Sequence, residues 1–182
     1  MNHKEDFKKA TLAYIKNKDL IQKQFIGQLF SLELEKNELN DLFDKSASTD
    51  ILLKSKDGLI YGIAMRVNFN TKWHKNITIR YKRITGAKTE FEKTISAIKN
   101  NAINSAIGVQ IDVDKSFNLI RGIIYDRYKL FTHINNNIDY FTKKHIYKVY
   151  DGNQMFYLNY DLLQEIDIKN NVFENTLENL FT

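Results

Sequence analysis

Residues 49–69 read TDILLKSKDGLIYGIAMRVNF, and their reading decides the fold. Residues 50–53 and 59–69 have the composition of two strands, and Lys56-Asp57-Gly58 between them is a hairpin signal. Gly58 supplies the positive φ that such a turn requires. In the second strand Leu59, Tyr61, Ile63, Met65, Val67 and Phe69 share an apolar face. Ile60, Gly62, Ala64, Arg66 and Asn68 share the other, which is small and then polar, as if something approaches it closely. A two-residue turn sets Asp50 across from Met65, and a three-residue turn sets it across from Ala64. Only the second places Asp50 on the face of Arg66. The Lys-Asp-Gly turn predicts the second.

Moving outward, residues 70–75 form a polar loop that holds Trp73 and His74, and 76–83 alternate as a third strand. Thr85-Gly86-Ala87 is a turn. Thr89-x-x-Glu92 is a capping box opening a helix whose stripe is Phe91, Ile95 and Ile98. Residues 106–113 are a fourth strand. Before the hairpin, Leu12 with Ile15, and Phe25 with Leu29 and Leu32, recur at helical spacing. They predict two N-terminal helices broken at 17–19. After the fourth strand, Tyr128, Phe131 and Ile134 predict a helix stopped by Asn135-Asn136-Asn137. Residues 146–150 and 155–160 flank Asp151-Gly152-Asn153 as a second hairpin, and 161–165 start a closing helix. The fold class is α/β: one domain with a mixed central sheet flanked by helices. Its parts are N-terminal helices over 1–48, a core over 49–114, a helix and aromatic hairpin over 115–168, and a loosely packed acidic tail over 169–182.

The chain has 182 residues, no cysteine and no proline. Cysteine chemistry, disulfides and thiolate metal sites are excluded. A reducing cytoplasm suits this composition. The charged start lacks the apolar core of a signal peptide, and no apolar run approaches the roughly 18 residues of a membrane helix. Net charge is +5, unevenly placed. Residues 1–44 carry seven Lys against eight acids, whereas 66–100 carry nine Lys or Arg against Glu90 and Glu92 alone. Localised basic charge is what phosphate binding needs, so DNA is the expected partner.

Helix, three strands, helix and strand around a mixed sheet, with Asp50 opening the hairpin and a polar i, i+2 position on the next strand, resembles the core of the PD-(D/E)XK nuclease superfamily. The resemblance covers residues 20–114. It implies a restriction-endonuclease-like core, Asp50 as a metal ligand, an acid-x-Lys on the next strand, Mg²⁺ as cofactor and phosphodiester hydrolysis as the activity. Hard oxygen ligands suit Mg²⁺, which generates a nucleophile and clamps phosphate. Ala64 and Arg66 stand where the acid and the lysine belong. Alanine cannot ligate a metal, and arginine binds phosphate but stays protonated. A working site therefore needs a migrated acid, from Glu90, Glu92 or Glu33 and Glu35 of the N-terminal region, and a lysine from Lys82 or Lys88. Glu92 has the simpler role of a helix cap.

Arg66, Arg80, Lys82 and Arg83 are the expected phosphate-gripping set, and Trp73 is placed to stack on a base. If the second and third strands are neighbours, Arg66, Arg80 and Lys82 make one positive surface. His3, His74, His133 and His145 are isolated, so no zinc site is predicted. No phosphate-cradling glycine loop and no nucleophile elbow are present. The aromatic second hairpin (Tyr147, Tyr150, Phe156, Tyr157, Tyr160) is core or the surface of a homodimer. Two functions stay open: a DNA-binding endonuclease with a rearranged site, and an inactive nuclease-like scaffold acting on a protein partner, such as a phage or mobile-element factor.

Overall fold

The computed structural model describes residues 3–24, 29–31, 50–55, 58, 60–69, 75–102, 105–149 and 152–174. Trp73, His74, Glu33, Glu35, Tyr150 and the end of the tail lie outside these residues. The elements are α1 (His3–Lys23), β1 (Leu29–Ser31), β2 (Ile51–Ser55), β3 (Ile60–Asn68) and β4 (Asn76–Lys82). They continue with α2 (Glu90–Lys99), β5 (Ser105–Val113), β6 (Leu119–Asp126), α3 (Arg127–Asn136) and α4 (Ile138–Lys144). The chain ends with β7 (Ile146–Lys148), β8 (Gln154–Asn159), α5 (Tyr160–Glu165) and β9 (Asn170–Glu174). The α/β class is as expected, in one domain with a mixed sheet.

That sheet has six strands in the order β1-β2-β3-β5-β6-β9, antiparallel except where β3 runs parallel to β5. In the first hairpin Ile51 faces Ile63 and Leu52 faces Gly62. One step further, Asp50 stands across from Ala64, with its N–H donating to Ile63 O at 2.8 Å. This is the register of a three-residue turn, and Gly58 takes φ +88°. The capping box also forms: Glu92 N–H donates to Thr89 Oγ1 and Thr89 N–H to Glu92 Oε2.

Four expectations change. Strand β4 is not a neighbour of β3. It pairs with β8, which pairs with β7, in a separate antiparallel sheet. The predicted hairpin therefore gains a third strand, and Arg80 and Lys82 leave the sheet that carries Arg66. The tail forms β9, which pairs with β6 and lays Phe173 over Gly122, where a Cβ would meet the ring at 2.3 Å. Leu29 lies in strand β1, not in a second helix. Finally, α1 runs unbroken through Asn17.

Asn17 is a tertiary clasp. It is buried, and its Nδ2 donates to Ala13 O and to Phe117 O, both at 2.8 Å. Its Oδ1 accepts from Leu119 N–H at 3.1 Å. The buried stripe of α1 is therefore Ala13, Asn17 and Ile21, while Leu12 and Ile15 are exposed.

The large sheet is covered on both faces. Ile63, Val109 and Ile111 pack toward α1. On the opposite face Ile123 and Tyr125 pack against Ile77 and Ile79 of the small sheet, and the helices α2 to α5 complete that core. Its centre is aromatic: the Phe91 ring lies 5.3 Å from Phe131 and 5.7 Å from Phe156. Phe156 and Tyr160 are thus internal, and of the hairpin's aromatic residues Tyr147 is exposed, 5.3 Å from Tyr157. No helix among the described residues is long and apolar enough to cross a membrane.

Replacing Asn17 by Ala leaves a buried carbonyl and a buried N–H unanswered, an expected loss of about 2–4 kcal/mol. Leu12→Ala on the exposed face should change stability by no more than about 0.5 kcal/mol. Urea unfolding of the two variants checks the contrast, and equal effects would remove the clasp.

Candidate functional site

The polar face of β3 is where the two sheets meet. Because β4 pairs only with β8, its other edge presents unpaired backbone groups that must be satisfied. Gln110, fully buried on β5, accepts from Thr78 N–H at 3.1 Å and donates to Asn76 O at 2.6 Å. Arg66 donates through Nη1 to Thr78 O at 3.2 Å. Further along the same face Asp112 and Arg121 form a buried ion pair at 2.8 Å, and Asn68 donates to the other Asp112 oxygen at 3.0 Å.

Toward the start of β2 the face opens into a cleft of about 190 Å³. Beneath it one row runs from Asp50 through Ala64, Gly108 and Tyr125 of β3, β5 and β6, since Ala64 faces Gly108 and Gly108 faces Tyr125, and all but Gly108 line the cleft. The Tyr125 ring folds back over Gly108, where a Cβ would lie 2.2 Å from Cζ. Asp50 is exposed, and its Oδ2 accepts from Met65 N–H at 2.7 Å. Above the floor, Arg66 Nη1 stands 3.7 Å from Glu90 Oε2, both side chains about a third exposed. Glu90 occupies the first turn of α2, where the helix dipole favours an acid. Lys93, three residues on, shares that helix face and also borders the cleft, as does Arg83 beyond β4.

Arg127 closes the cleft from beneath. β6 runs directly into α3, with Asp126 as the cap accepting from Lys129 N–H at 2.9 Å, and Arg127 turns back into the protein. Its exposure is 0 %. Nη1 donates to Ser105 O at 3.3 Å and Cζ lies 4.2 Å from the centre of the Phe131 ring. Nε and Nη2 have no hydrogen-bond partner. Burial pulls this guanidinium below its ordinary value, against the opposing fields of Glu90, Tyr125 and Asp50. The cleft therefore gathers Arg66, Arg83, Lys93 and Arg127 around Asp50 and Glu90, a surplus of two positive charges.

Of the sequence-derived site residues, the fold brings together Asp50, Glu90, Arg66 and Arg83. It does not bring Lys82 and Lys88, which are exposed and away from the cleft. Arg80, on β4, does not border it either, and Glu92 is committed to the helix cap. Among the described residues no group of three or more His, Asp or Glu could hold a metal ion. Sequence reasoning missed Lys93, Tyr125 and Arg127. The signal for Tyr125 and Arg127 was the run Leu-Ile-Arg-Gly-Ile-Ile-Tyr at 119–125 followed by the cap residue Asp126, a strand leading into a helix. A buried arginine itself leaves no trace in a sequence. Compared with family models, curated proteins and solved structures, the chain matches none.

Burial pushes the Tyr125 phenol well above its ordinary value, and burial likewise pushes Tyr160 up to about 12. Both hydroxyls stay protonated in the fold at pH values where an unfolded chain ionises. The stability this carries is fully present below pH 10.0 and is lost as pH rises toward about 12. An ultraviolet titration of the ten tyrosines, run beside thermal unfolding, should show two phenols ionising only as the fold melts. Tyr160→Phe should flatten part of the alkaline decline. Ten phenols titrating together while the fold persists would contradict this picture.

Proposed function

We propose that the chain binds nucleic acid through its phosphates at this cleft, on a restriction-endonuclease-like core. The observation that carries the reading is the convergence of Asp50 and Glu90 with Arg66 and Arg83 in one cleft at the mouth of the β2–β3 hairpin. The element order supports it: β1, β2 and β3 are an antiparallel run, and β5 returns parallel to β3 after α2. The strand β4 is then an excursion from that core. Arg66 and Arg83 grip phosphate, as a fork suited to two oxygens at once does.

The donor set also fits Mg²⁺. This ion takes one or two carboxylates alongside phosphate and water, so Asp50 and Glu90 would hold it once a phosphate is present. Bound there, it would supply neutralisation of the phosphoryl charge and activation of water. Glu90 then stands for the acid that Ala64 cannot provide. Lys93, the lysine that borders the cleft, takes the water-positioning role assigned from sequence to Lys82 or Lys88. The second reading is a scaffold that binds without cleaving, and the Arg66–Glu90 pair favours it: a carboxylate facing a guanidinium at 3.7 Å is less available to a cation.

Duplex and single-stranded DNA titrated over a salt series test the binding. Affinity should fall steeply with salt, and Arg66→Ala with Arg83→Ala should weaken it and reduce the logarithmic salt slope by about two. Incubation with Mg²⁺, Mn²⁺ or a chelator tests the chemistry. Metal-dependent nicking that disappears in both Asp50→Ala and Glu90→Gln makes the protein a nuclease. Binding without nicking makes it the inactive scaffold, and no DNA binding at low salt removes both readings.

A further inference from the structure

The donors of Arg127 point to the form in which phosphate enters. A guanidinium is always charged and carries five N–H donors, and burying it with donors unmet is unfavourable. Arg121, also buried, has a carboxylate 2.8 Å from its Nε. Arg127 has no carboxylate within ion-pair distance among the described residues, and two of its three nitrogens lack hydrogen-bond partners. Nε and Nη2 are the two sides of one fork, the geometry that receives two oxygens of a single phosphate. The aliphatic and planar parts of the side chain are fixed by Phe131 and by Ser105 O, so the fork is held in place before any ligand arrives.

The depth and size of the cleft restrict what can reach it. A cavity of about 150 Å³ holds a molecule the size of benzene. The 190 Å³ available here therefore accepts one phosphate and little of the chain attached to it. An internal phosphodiester, with a sugar on either side, reaches Arg66 and Arg83 and stops short of Arg127. A phosphate at the end of a strand projects alone and can enter the cleft toward Arg127, whose donors are covered in the free protein and are reached by a small shift of the residues lining it.

We propose that Arg127 is the floor of a socket for a terminal phosphate, a phosphomonoester at the end of a nucleic-acid strand, with Arg66 and Lys93 at its rim. The inference rests on the reading of this cleft as the place where nucleic-acid phosphate docks. It goes beyond that reading in naming a strand end as the ligand and Arg127 as the residue that selects it.

The test uses the full chain with three probes: inorganic phosphate, and oligonucleotides of one sequence with and without a phosphate at the 5′ or the 3′ end. In wild-type protein, inorganic phosphate should shift the Arg127 Nε–H resonance and raise the melting temperature. One end-phosphorylated oligonucleotide should bind at least about tenfold tighter than the unphosphorylated one, the scale expected for hydrogen bonds to a charged group. Arg127→Lys keeps the charge and loses the fork, so it should abolish this preference and leave the weaker, salt-dependent binding of the unphosphorylated strand. The wild-type measurements need no variant, which keeps the inference testable if Arg127→Lys fails to fold. Equal affinity for phosphorylated and unphosphorylated ends overturns the inference whatever inorganic phosphate does, and leaves the nucleic-acid reading standing. A shift of Nε–H by inorganic phosphate, with no oligonucleotide bound, overturns the nucleic-acid reading and with it the strand end as ligand.

Discussion

The parallel pairing of β3 with β5 is the constraint from which the rest of the architecture follows. Antiparallel neighbours can be joined by a tight turn, whereas parallel neighbours need a crossover that leaves the sheet and returns. Here that crossover contains β4 and α2, and both lie on the face that carries Ala64, Arg66 and Asn68. A strand placed over that face does not lie alongside either edge of the large sheet, where β1 and β9 are outermost. It finds β8 instead, which is why a second sheet exists. The other edge of β4 still needs partners, and Gln110 and Arg66 supply them through Thr78 and Asn76. The side chain that looks most functional in the hairpin thus also holds the two sheets together.

Charge on this face is handled in two ways. At one end Asp112 pairs with the buried Arg121 and accepts from Asn68. Breaking such a network by removing one partner is costly, and its presence says more about a fixed arrangement than about net stability. At the other end the groups do not cancel. Glu90 is shared between the dipole of α2 and Arg66, Asp50 is committed to a backbone N–H of β3, and Arg127 retains two unmatched donors. An unbalanced set of charges over a floor of small residues is a poor way to stabilise a domain and a good way to receive an anion.

How much of this was legible depended on whether the cause was local. The register of the first hairpin could be read because Gly58 dictates the turn, and the turn dictates which face Asp50 shares. The start of α2 could be read because a capping box is a four-residue device. The end of α3 and the second hairpin were legible for the same reason. The partner of β4 was not, because pairing between Asn76 and Asn159, 83 residues apart, leaves no mark on the strand itself. Asn17 looked like a break because asparagine usually competes with helical hydrogen bonds. Its side chain is occupied instead by Phe117 and Leu119, a hundred residues away. β6 escaped notice because Arg121 and Gly122 interrupt its apolar run, and each has a reason only in three dimensions: Arg121 faces Asp112, and Gly122 makes room for Phe173.

Alanine at position 64 suits the same geometry. Ala64 lies between Asp50 on one side and Gly108 on the other, and the Tyr125 ring already occupies the space above Gly108. The small side chain at position 64 leaves the cleft above it open. A carboxylate can enter the cleft from above, and Glu90 does so from the first turn of α2, beside the same Arg66. The strand is thus short at position 64, and the carboxylate beside Arg66 stands on the helix instead. Charges that converge in space can come from several elements and leave no motif along any one strand.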